Sequence, residues 1–198
     1  LIDQGLRQGN QDFLYQSWPV FRRCTKRISN FVEDMLAYTK PRIPMRRPCD
    51  LDAVIQDACE TFRGLLVLKN VDLELDTHRL QHRPCLDEQA IYRCLLNLLT
   101  NAADAAPREG GRVRITALES PQGELHLEVA DNGPGIPEDA RETIFDPFFS
   151  TKGSDGTGLG LAVTKKIIEE HGGTIEAGVA PEGGALFKMC IPPRQTDS

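Results

Sequence analysis

The sequence predicts an α+β fold: a two-layer α/β sandwich in which helices cover one face of a β-sheet, preceded by a long bundle-type helix. Three patterns lead to this prediction: an N-terminal stripe of apolar residues, capped amphipathic helices, and pairs of alternating strand segments. With 198 residues, 40% hydrophobic and 26% charged, the chain can form one ordinary domain plus an appendage. The sequence contains no apolar run near the roughly 20 residues that span a bilayer.

The first helix is predicted from Leu14 to Tyr38, where apolar residues recur with a period of about 3.5. The stripe consists of Phe21, Cys24, Ile28, Phe31, Met35 and Tyr38, widened by Val32 and Leu36. This period is typical of a helical bundle whose partner helix covers the stripe, although one amphipathic helix packed on the following domain also fits. Two prolines end the helix near Thr39, and residues 40–48 are predicted to form a stiff linker.

Helical and strand patterns alternate beyond the linker. Asp50 is a predicted N-cap for a helix whose apolar face begins at Leu51. Asp87 is a predicted N-cap for the next helix, which runs to about Ala106. Residues 71–76 alternate strictly between apolar and polar side chains, which predicts a strand between these two helices.

The last third of the chain predicts two strand pairs with a helix between them. The predicted segments are strands at 112–118 and 124–130, a helix from about Leu159 to Glu170, and strands at 174–177 and 185–191. Gly172 and Gly173 end the helix, because glycine adopts the left-handed conformation of a C-cap. The tail at 194–198 is predicted to be disordered.

Charge and cysteine content narrow the class of protein. The net charge of −6 and the isoelectric point of about 5.3 argue against nucleic-acid binding, despite the basic run R-I-P-M-R-R. The six cysteines are scattered without a C-x-x-C pair, which favours reduced, mostly buried thiols in a cytoplasm. Because the sequence begins with Leu1, we expect it to be a piece of a longer protein.

Three polar side chains share one face of the helix that follows Asp87. Asn97, Asn101 and Asp104 are spaced i, i+4 and i+7 within the segment L-L-N-L-L-T-N-A-A-D-A-A. Asparagine is a mediocre helix former, so two of them one turn apart need a reason. A carboxamide oxygen is a hard ligand that suits Mg²⁺, but asparagine also occurs in helices for local hydrogen bonding alone.

A second motif, D-N-G-P-G-I, begins at Asp131, where a predicted strand ends. A carboxylate at that place can accept a hydrogen bond from an exocyclic amine such as that of adenine, and the glycines let the backbone approach a flat ring. A plain tight turn after an edge strand is the alternative, since the segment contains strong turn dipeptides.

A third motif, G-T-G-L-G-L, runs from Gly156 to Leu161 and leads into an apolar helical pattern. Unpaired amides at a helix N-terminus attract anions, and glycine lets phosphate groups come close. Thr157 adds a hydroxyl, and Lys152, just upstream, is a mobile positive charge that can reach a phosphate. A flexible hinge loop without a ligand is the competing interpretation.

The order of these motifs is more specific than any one of them. N-x-x-x-N, D-x-G-x-G-I, F-D-P-F-F and G-x-G-L-G-L resemble the N, G1, F and G2 boxes of the ATP-binding domain of sensor histidine kinases. The resemblance covers roughly residues 48–193 and implies the Bergerat fold, which DNA gyrase, heat-shock chaperone ATPases and mismatch-repair ATPases share. It implies ATP and Mg²⁺ as ligands, and domains at residues 1–44 and 45–193 before the tail.

The resemblance implies roles for the polar motif residues. Asn101 would coordinate Mg²⁺, and Asn97 would lie near the phosphates and the metal. Asp131 would bind the adenine amine. Asp104, in a segment N-A-A-D-A that looks more like the nitrogen-regulator branch and the chaperones, would add a supporting bond in the adenine pocket.

The remaining motif residues would shape the pocket and contact the phosphates. The base pocket would be lined by Gly133, Gly135 and Ile136. A lid would be anchored by Phe145, Phe148 and Phe149, and Lys152 would contact phosphate. The triphosphate would be wrapped by Gly156, Thr157, Gly158, Leu159, Gly160 and Leu161.

One departure from the wider superfamily bears on the reaction. Its ATP hydrolases generally have Glu where this chain has Asn97, as the base that activates water. Asparagine cannot accept a proton at neutral pH. The residue therefore favours phosphoryl transfer to a protein side chain over ATP hydrolysis.

The N-terminal helix resembles the second helix of the dimerisation and phosphotransfer hairpin of these kinases. In that family the acceptor histidine lies on the first helix, which would precede Leu1, with residues 1–6 as its end and turn. The histidines of this chain are predicted to be structural or exposed: His78, His82, His126 and His171. The resemblance implies homodimerisation through the helical region and phosphate relay to the aspartate of a response-regulator receiver domain.

Two other functions stay open from the sequence. A protein-serine kinase of the anti-sigma type uses the same ATP fold but lacks the hairpin. A degenerate kinase that acts as a nucleotide-binding dimeric scaffold would keep the same motifs without turnover.

Overall fold

The computed structural model describes residues 11–40, 43–80, 83–152 and 156–193 of the chain. Predictions made for residues 1–6, His82 and the tail at 194–198 lie outside the described residues. The chain divides into two compact units after Lys40. The sequence placed the division after residue 44, and those domain limits stay a prediction.

The first unit contains the predicted N-terminal helix, α1, at Gln11–Thr39. It ends where the sequence predicted, and Thr39 Oγ1 donates to the Met35 carbonyl at 2.8 Å in the last turn. Pro19 lies inside the helix, and the neighbouring Trp18 stacks on Phe21 with ring centroids 5.6 Å apart. Five stripe residues are between 47% and 65% exposed: Phe21, Ile28, Val32, Met35 and Leu36.

The second unit is a mixed sheet with helices. Its elements are β1 at Arg47–Pro48, α2 at Leu51–Lys69, β2 at Val71–Arg79, β3 at Cys85–Leu86, α3 at Glu88–Ala105, β4 at Gly111–Glu119, β5 at Leu125–Asp131, α4 at Gly160–Glu170, β6 at Thr174–Val179 and β7 at Ala185–Ile191. Two 3₁₀ turns lie at Glu138–Ala140 and Thr143–Phe145. The main sheet has the order β2-β4-β5-β7-β6, with β2 parallel to β4 and the other neighbours antiparallel.

The helix caps that the sequence predicted are present. Asp50 accepts a hydrogen bond from the Ala53 amide at 3.2 Å, and Asp87 accepts one from the Ala90 amide at 3.1 Å. Asn70 ends α2 in the left-handed conformation, with φ of 54°. The predicted hairpin is also confirmed, because β4 and β5 pair directly on either side of the turn.

The core lies between the sheet and the three helices α2, α3 and α4. Side chains along β4 and β5 alternate between buried and more accessible positions, as a sheet covered on one face requires. Leu95, Leu98 and Leu99 of α3 are fully buried, as are Val113 and Ile115 of β4. The second unit is therefore the two-layer α+β sandwich that the sequence predicted.

The end of the predicted linker is part of this second unit. Arg47 and Pro48 pair antiparallel with Cys85 and Leu86, which the sequence analysis did not predict. The Arg46 guanidinium donates to the Glu170 carbonyl at 2.9 Å. The linker prediction was thus wrong for residues 46–48, because short strand pairing and a side-chain contact attach them to the sandwich.

All six cysteines are free thiols, and Cys49, Cys59 and Cys94 are buried. Burial raises the pKa of the Cys59 thiol to about 11, so it stays protonated and unreactive. Within the described residues, none of the helices combines the length and the apolar composition that crossing a bilayer requires.

His171 joins the end of α4 to the start of α3. The ring is 1% exposed; its Nε2 accepts a hydrogen bond from the Asp87 amide at 3.1 Å, and Nδ1 lies 2.7 Å from the Ile167 carbonyl. Because Nε2 accepts, the ring is neutral with its proton on Nδ1, donated to Ile167. Burial lowers the pKa of His171, and the positive charge of Arg46 acts in the same direction.

We predict that the free energy of unfolding decreases at mildly acid pH because of His171. The folded protein keeps the ring neutral, whereas the unfolded chain binds a proton near pH 6.5. The contribution of His171 is therefore complete above about pH 6.5 and decreases as the pH falls below that value. His171→Gln should lose about 2–3 kcal/mol at pH 7.5 in urea unfolding, and less at pH 5.5.

His126→Gln, at a partly exposed histidine, provides the control and should change unfolding by less than about 1 kcal/mol at both pH values. An equal loss for His171→Gln at pH 7.5 and pH 5.5 would contradict the assignment of the neutral ring.

Candidate nucleotide-binding site

The polar face of α3 points toward the start of α4. The Asn97 amide nitrogen donates to the Gly160 carbonyl at 3.0 Å and lies 3.3 Å from the Thr164 hydroxyl. A carbonyl only accepts, so the atom of Asn97 that binds Gly160 must be the amide nitrogen. Thr164 is fully buried and donates to the same Gly160 carbonyl at 2.8 Å.

One turn further along, Lys152 binds the other two polar residues of this face. Its ammonium group donates to Asn101 Oδ1 at 3.0 Å and to Asp104 Oδ2 at 2.6 Å. Lys69, at the end of α2, holds the second oxygen, Asp104 Oδ1, at 2.6 Å and donates to the Ala103 carbonyl at 3.1 Å. The face of α3 that was predicted to bind a cation therefore binds the ammonium group of a lysine.

The charge of Asp104 is stabilised by these two lysines. Partial burial by itself would raise the pKa of the carboxyl, but the hydrogen bonds and charges of Lys152 and Lys69 outweigh burial and hold the pKa below its usual range. Asp104 thus stays ionised and bridges the two ammonium groups.

Asp131 is a buried carboxylate at the end of β5, 5% exposed. Its Oδ1 accepts hydrogen bonds from the Gly133 amide at 2.8 Å and the Ala185 amide at 3.2 Å. Burial raises its pKa, and the two backbone hydrogen bonds oppose that change. Both bonds go to one oxygen, so Oδ2 is the atom that can accept from a ligand.

Glycines let the loop after β5 run close to its neighbours. A Cβ on Gly133 would lie 2.5 Å from the Ala105 carbonyl at the end of α3, so only glycine fits there. Asn132 fixes the start of this loop, accepting from the Arg112 amide at 2.7 Å and donating to the Gly110 carbonyl at 2.8 Å. The loop is thereby held between α3 and β4.

The start of α4 packs against the segment that precedes it. Gly158 has φ of +65°, and its carbonyl accepts from the Phe148 amide at 2.9 Å. A Cβ on Gly158 would clash with the Phe148 backbone. The N-cap residue of α4, Leu159, makes no side-chain capping hydrogen bond, and its own amide donates to the Thr157 hydroxyl at 3.3 Å. Gly156, the first residue of the motif, lies beside Lys152.

The three motif phenylalanines differ in environment. Phe145 is 7% exposed and packs edge-on against Phe187 with ring centroids 6.3 Å apart. Phe148 is 64% exposed and Phe149 is 37% exposed. Phe145 is thus an anchor in the core, while the other two lie at the surface.

The structure brings six of the fifteen predicted ATP-site residues together at α3. Lys152 contacts Asn101 and Asp104, Asn97 contacts Gly160, and Gly133 lies against the end of the helix. Five of the predicted residues have no contact with α3 among the described hydrogen bonds and close approaches. They are Ile136, Thr157 and Leu161, which are half-buried, Gly135, which packs on Gly184, and Leu159, whose side chain is in the core.

Sequence reasoning missed three contributors to the site: Lys69, Thr164 and the turn before Ala185. Lys69 belongs to no motif, and only its contact with Asp104 reveals it. Thr164 carried one weak signal, as a polar residue at a buried position of an amphipathic helix. The turn contains P-E-G-G, whose glycines were a usable sign of a close backbone approach.

Comparison with known proteins identifies the family. The sequence profile of histidine kinase-, DNA gyrase B-, and HSP90-like ATPases matches residues 86–195, more than half of the chain. The chain belongs to this family of ATPases. The match includes all of the predicted site residues, from Asn97 to Leu161.

The relatives of this ATPase domain are sensor histidine kinases. The sensor histidine kinase ZraS of Klebsiella oxytoca is 35% identical over 173 residues, which cover 87% of this chain and 37% of ZraS. The crystal structure of full-length ShkA in complex with AMPPNP has a TM-score of 0.81 at 25% identity, covering 93% of this chain and 40% of ShkA. The histidine kinase ThkA in complex with the response regulator TrrA has a TM-score of 0.75 at 29% identity, covering 93% and 51%.

The ATPase domain accounts for only part of these relatives. The chain spans about a third of the length of the curated kinases it matches, 37% of ZraS and 31% of the Escherichia coli kinase AtoS.

We predict that the turn before Ala185 tolerates no side chain at Gly184. Gly183 and Gly184 have almost the same φ, +86° and +85°, but a Cβ has open space at Gly183 and clashes with the Asp131 carbonyl at Gly184. Each Ala substitution should cost about 1–2 kcal/mol of backbone strain in urea unfolding. Gly184→Ala should cost about 1–3 kcal/mol more, because the backbone at Asp131 must move.

Gly183→Ala is the matched control for strain alone. Equal unfolding free energies for the two variants would show that the turn does not press on Asp131.

Proposed function

We propose that this chain is the ATP-binding catalytic part of a two-component sensor histidine kinase. It would present the γ-phosphate of ATP to a histidine that lies outside the chain, for relay to the aspartate of a response regulator. The observation that carries the proposal is the polar face of α3, where Lys152 binds Asn101 and Asp104, and Asn97, one turn earlier, donates to Gly160 at the start of α4. The kinase relatives and the AMPPNP complex of ShkA support it.

The adenine base would bind at Asp131. Its Oδ2 would accept the exocyclic amine, while Oδ1 is occupied by the Gly133 and Ala185 amides. Buried carboxylates that accept one oriented donor discriminate well against bases that lack it, because the site is otherwise left unpaired. Gly133, Gly135 and Ile136 would then form the wall of the base pocket.

The residues at α3 fit a hard cation. The oxygen of Asn101 already accepts from a positive group, Lys152, and an amide oxygen with phosphates and water is a usual shell for Mg²⁺. Among the described residues no cluster of three or more His, Cys, Asp or Glu side chains is arranged for a metal, which matches a site that relies on the nucleotide for ligands. Bound Mg²⁺ would neutralise phosphate charge.

Phosphoryl transfer is favoured over hydrolysis by the contacts of Asn97. Its amide nitrogen donates to the Gly160 carbonyl, so the residue positions α4 and cannot accept a proton from water. Lys152 and the first-turn amides of α4 would hold the phosphates in line for attack, so positioning and charge would carry the catalysis.

Two proposed partners are a second copy of the chain and a response regulator. The exposed apolar stripe of α1 is what a four-helix bundle of two chains requires, which favours a homodimer in the full-length protein. It also disfavours the anti-sigma type of kinase. Relay to a response regulator is supported by the complex of ThkA with TrrA, and reduced thiols agree with the cytoplasmic location that we propose.

We predict that Asp131 and Asn101 bind different parts of Mg²⁺-ATP. In isothermal titration, Asp131→Asn should weaken ATP binding about tenfold or more with and without Mg²⁺, since the lost acceptor faces the base. Asn101→Ala should weaken binding about tenfold with Mg²⁺ present and hardly at all in EDTA.

Asp139→Asn, an exposed Asp on the same loop, and Thr100→Ala, an exposed neighbour of Asn101, are the controls. Undiminished affinity in both site variants would sink the assignment. Failure of the unmodified chain to bind ATP would contradict both the kinase proposal and the nucleotide-binding scaffold.

We predict that the chain binds ATP without hydrolysing it. Steady-state phosphate release should stay at the level of the buffer. Asn97→Asp should weaken ATP binding about tenfold and leave phosphate release at that level, because the new carboxylate faces the Gly160 carbonyl instead of donating to it. Sustained release by the unmodified chain would place it among the ATP hydrolases.

A further inference from the structure

The turn between β6 and β7 forms the back of the pocket proposed for the base. The Ala185 amide at its end donates to Asp131 Oδ1 at 3.2 Å. The Cα of Gly184 packs on the Asp131 carbonyl so closely that a Cβ there would clash. A Cβ on Gly135 would lie 3.3 Å from the Gly184 carbonyl. The position of this turn therefore sets the positions of both Asp131 and Gly135.

The turn has little apolar packing of its own to hold it. Pro181 and Glu182 at its tip are exposed, and two backbone hydrogen bonds close it, from Gly183 to Ala180 at 3.0 Å and from Ala180 to Gly184 at 3.2 Å. Those bonds shape the turn but do not attach it to the rest of the sheet.

Glu182 attaches the turn to the open face of the sheet. Its Oε2 lies 2.9 Å from the Arg112 guanidinium and its Oε1 lies 3.1 Å from the Arg114 guanidinium, both on β4. Arg114 also binds Glu74 of β2 at 2.7 Å. Two arginines and two glutamates thus connect the turn to two neighbouring strands as a neutral network.

The network lies directly behind the carboxylate proposed for the base. The four side chains border a shallow surface recess whose wall includes Asp131 and Asn132. No motif of the sequence contains Glu182, Arg112 or Arg114. Neither arginine points at the pocket itself, because β4 side chains at even positions face away from the helices.

We propose that Glu182, Arg112 and Arg114 are positioning residues for base recognition: they hold the β6–β7 turn so that the Ala185 amide orients Asp131. The inference rests on the proposed function, in which Asp131 binds the base. A single exposed ion pair contributes little to stability, but one carboxylate gripped by two arginines is fixed in direction. Loss of this network should therefore weaken binding of the base and leave binding of the phosphates unchanged.

The test separates base from phosphate with two competitors of a fluorescent ATP analogue bound to the full chain. Adenosine carries the base without charge, and tripolyphosphate carries charge without the base. Glu182→Gln should weaken competition by adenosine about three- to tenfold and leave tripolyphosphate within about twofold. Raising NaCl from 0.05 to 0.5 M should weaken adenosine binding to the unmodified chain more than to Glu182→Gln, because salt screens the ion pairs of the network.

Glu128→Gln is the matched control, since it removes an ion pair with Lys188 at 3.4 Å on the same face of the sheet. This variant should bind adenosine and tripolyphosphate with the same affinities as the unmodified chain. Arg112→Gln should act like Glu182→Gln, and the double variant should be no worse than the sum of the two single variants.

Equal adenosine affinity in Glu182→Gln and the unmodified chain would overturn the inference, as would an equal loss for both competitors. If neither competitor displaces the analogue from the unmodified chain, the proposed function has failed instead.

Discussion

The site depends on one constraint: α3 must bury an apolar face against the sheet while presenting polar side chains on its other side. Leu95, Leu98 and Leu99 fill the core and fix the rotation of the helix. That rotation turns Asn97 and Asn101 toward the residues they contact, Gly160 and Lys152. A small rotation of α3 would expose the leucines and break both contacts. The packing of the core therefore determines the geometry of the site.

The two halves of the site are connected through backbone contacts of glycine. Gly133 passes the end of α3, and Gly158 packs against the backbone of Phe148. These approaches are too close for any Cβ, so the loops on both sides of the helix are located by contact as well as by hydrogen bonds. The Asn97 hydrogen bond to the Gly160 carbonyl holds the start of α4 against α3, and Gly133 holds the loop after Asp131 against the end of the same helix.

Local patterns were sufficient to predict most of the fold. The caps at Asp50 and Asp87 and the hairpin of β4 and β5 follow from neighbouring residues alone, and the structure confirms them. The parallel pairing of β2 with β4 and the small sheet of β1 and β3 join segments about 40 residues apart, and no local pattern encodes such pairing. The same limit applies to the site: the motifs named Asn101 and Lys152, but Lys69 and Glu182 act through partners distant in sequence.

Lys152 gives the polar face of α3 an internal counter-ion. Its ammonium group rests on the amide oxygen of Asn101, and Lys69 completes the neutralisation of Asp104. The carboxylate of Asp104 is balanced by two ammonium groups of the chain itself, so this face of α3 needs no divalent ion to offset its charge. Chelating buffers should therefore leave the domain folded. The proposed binding of nucleotide should then be retained after purification without added magnesium salt.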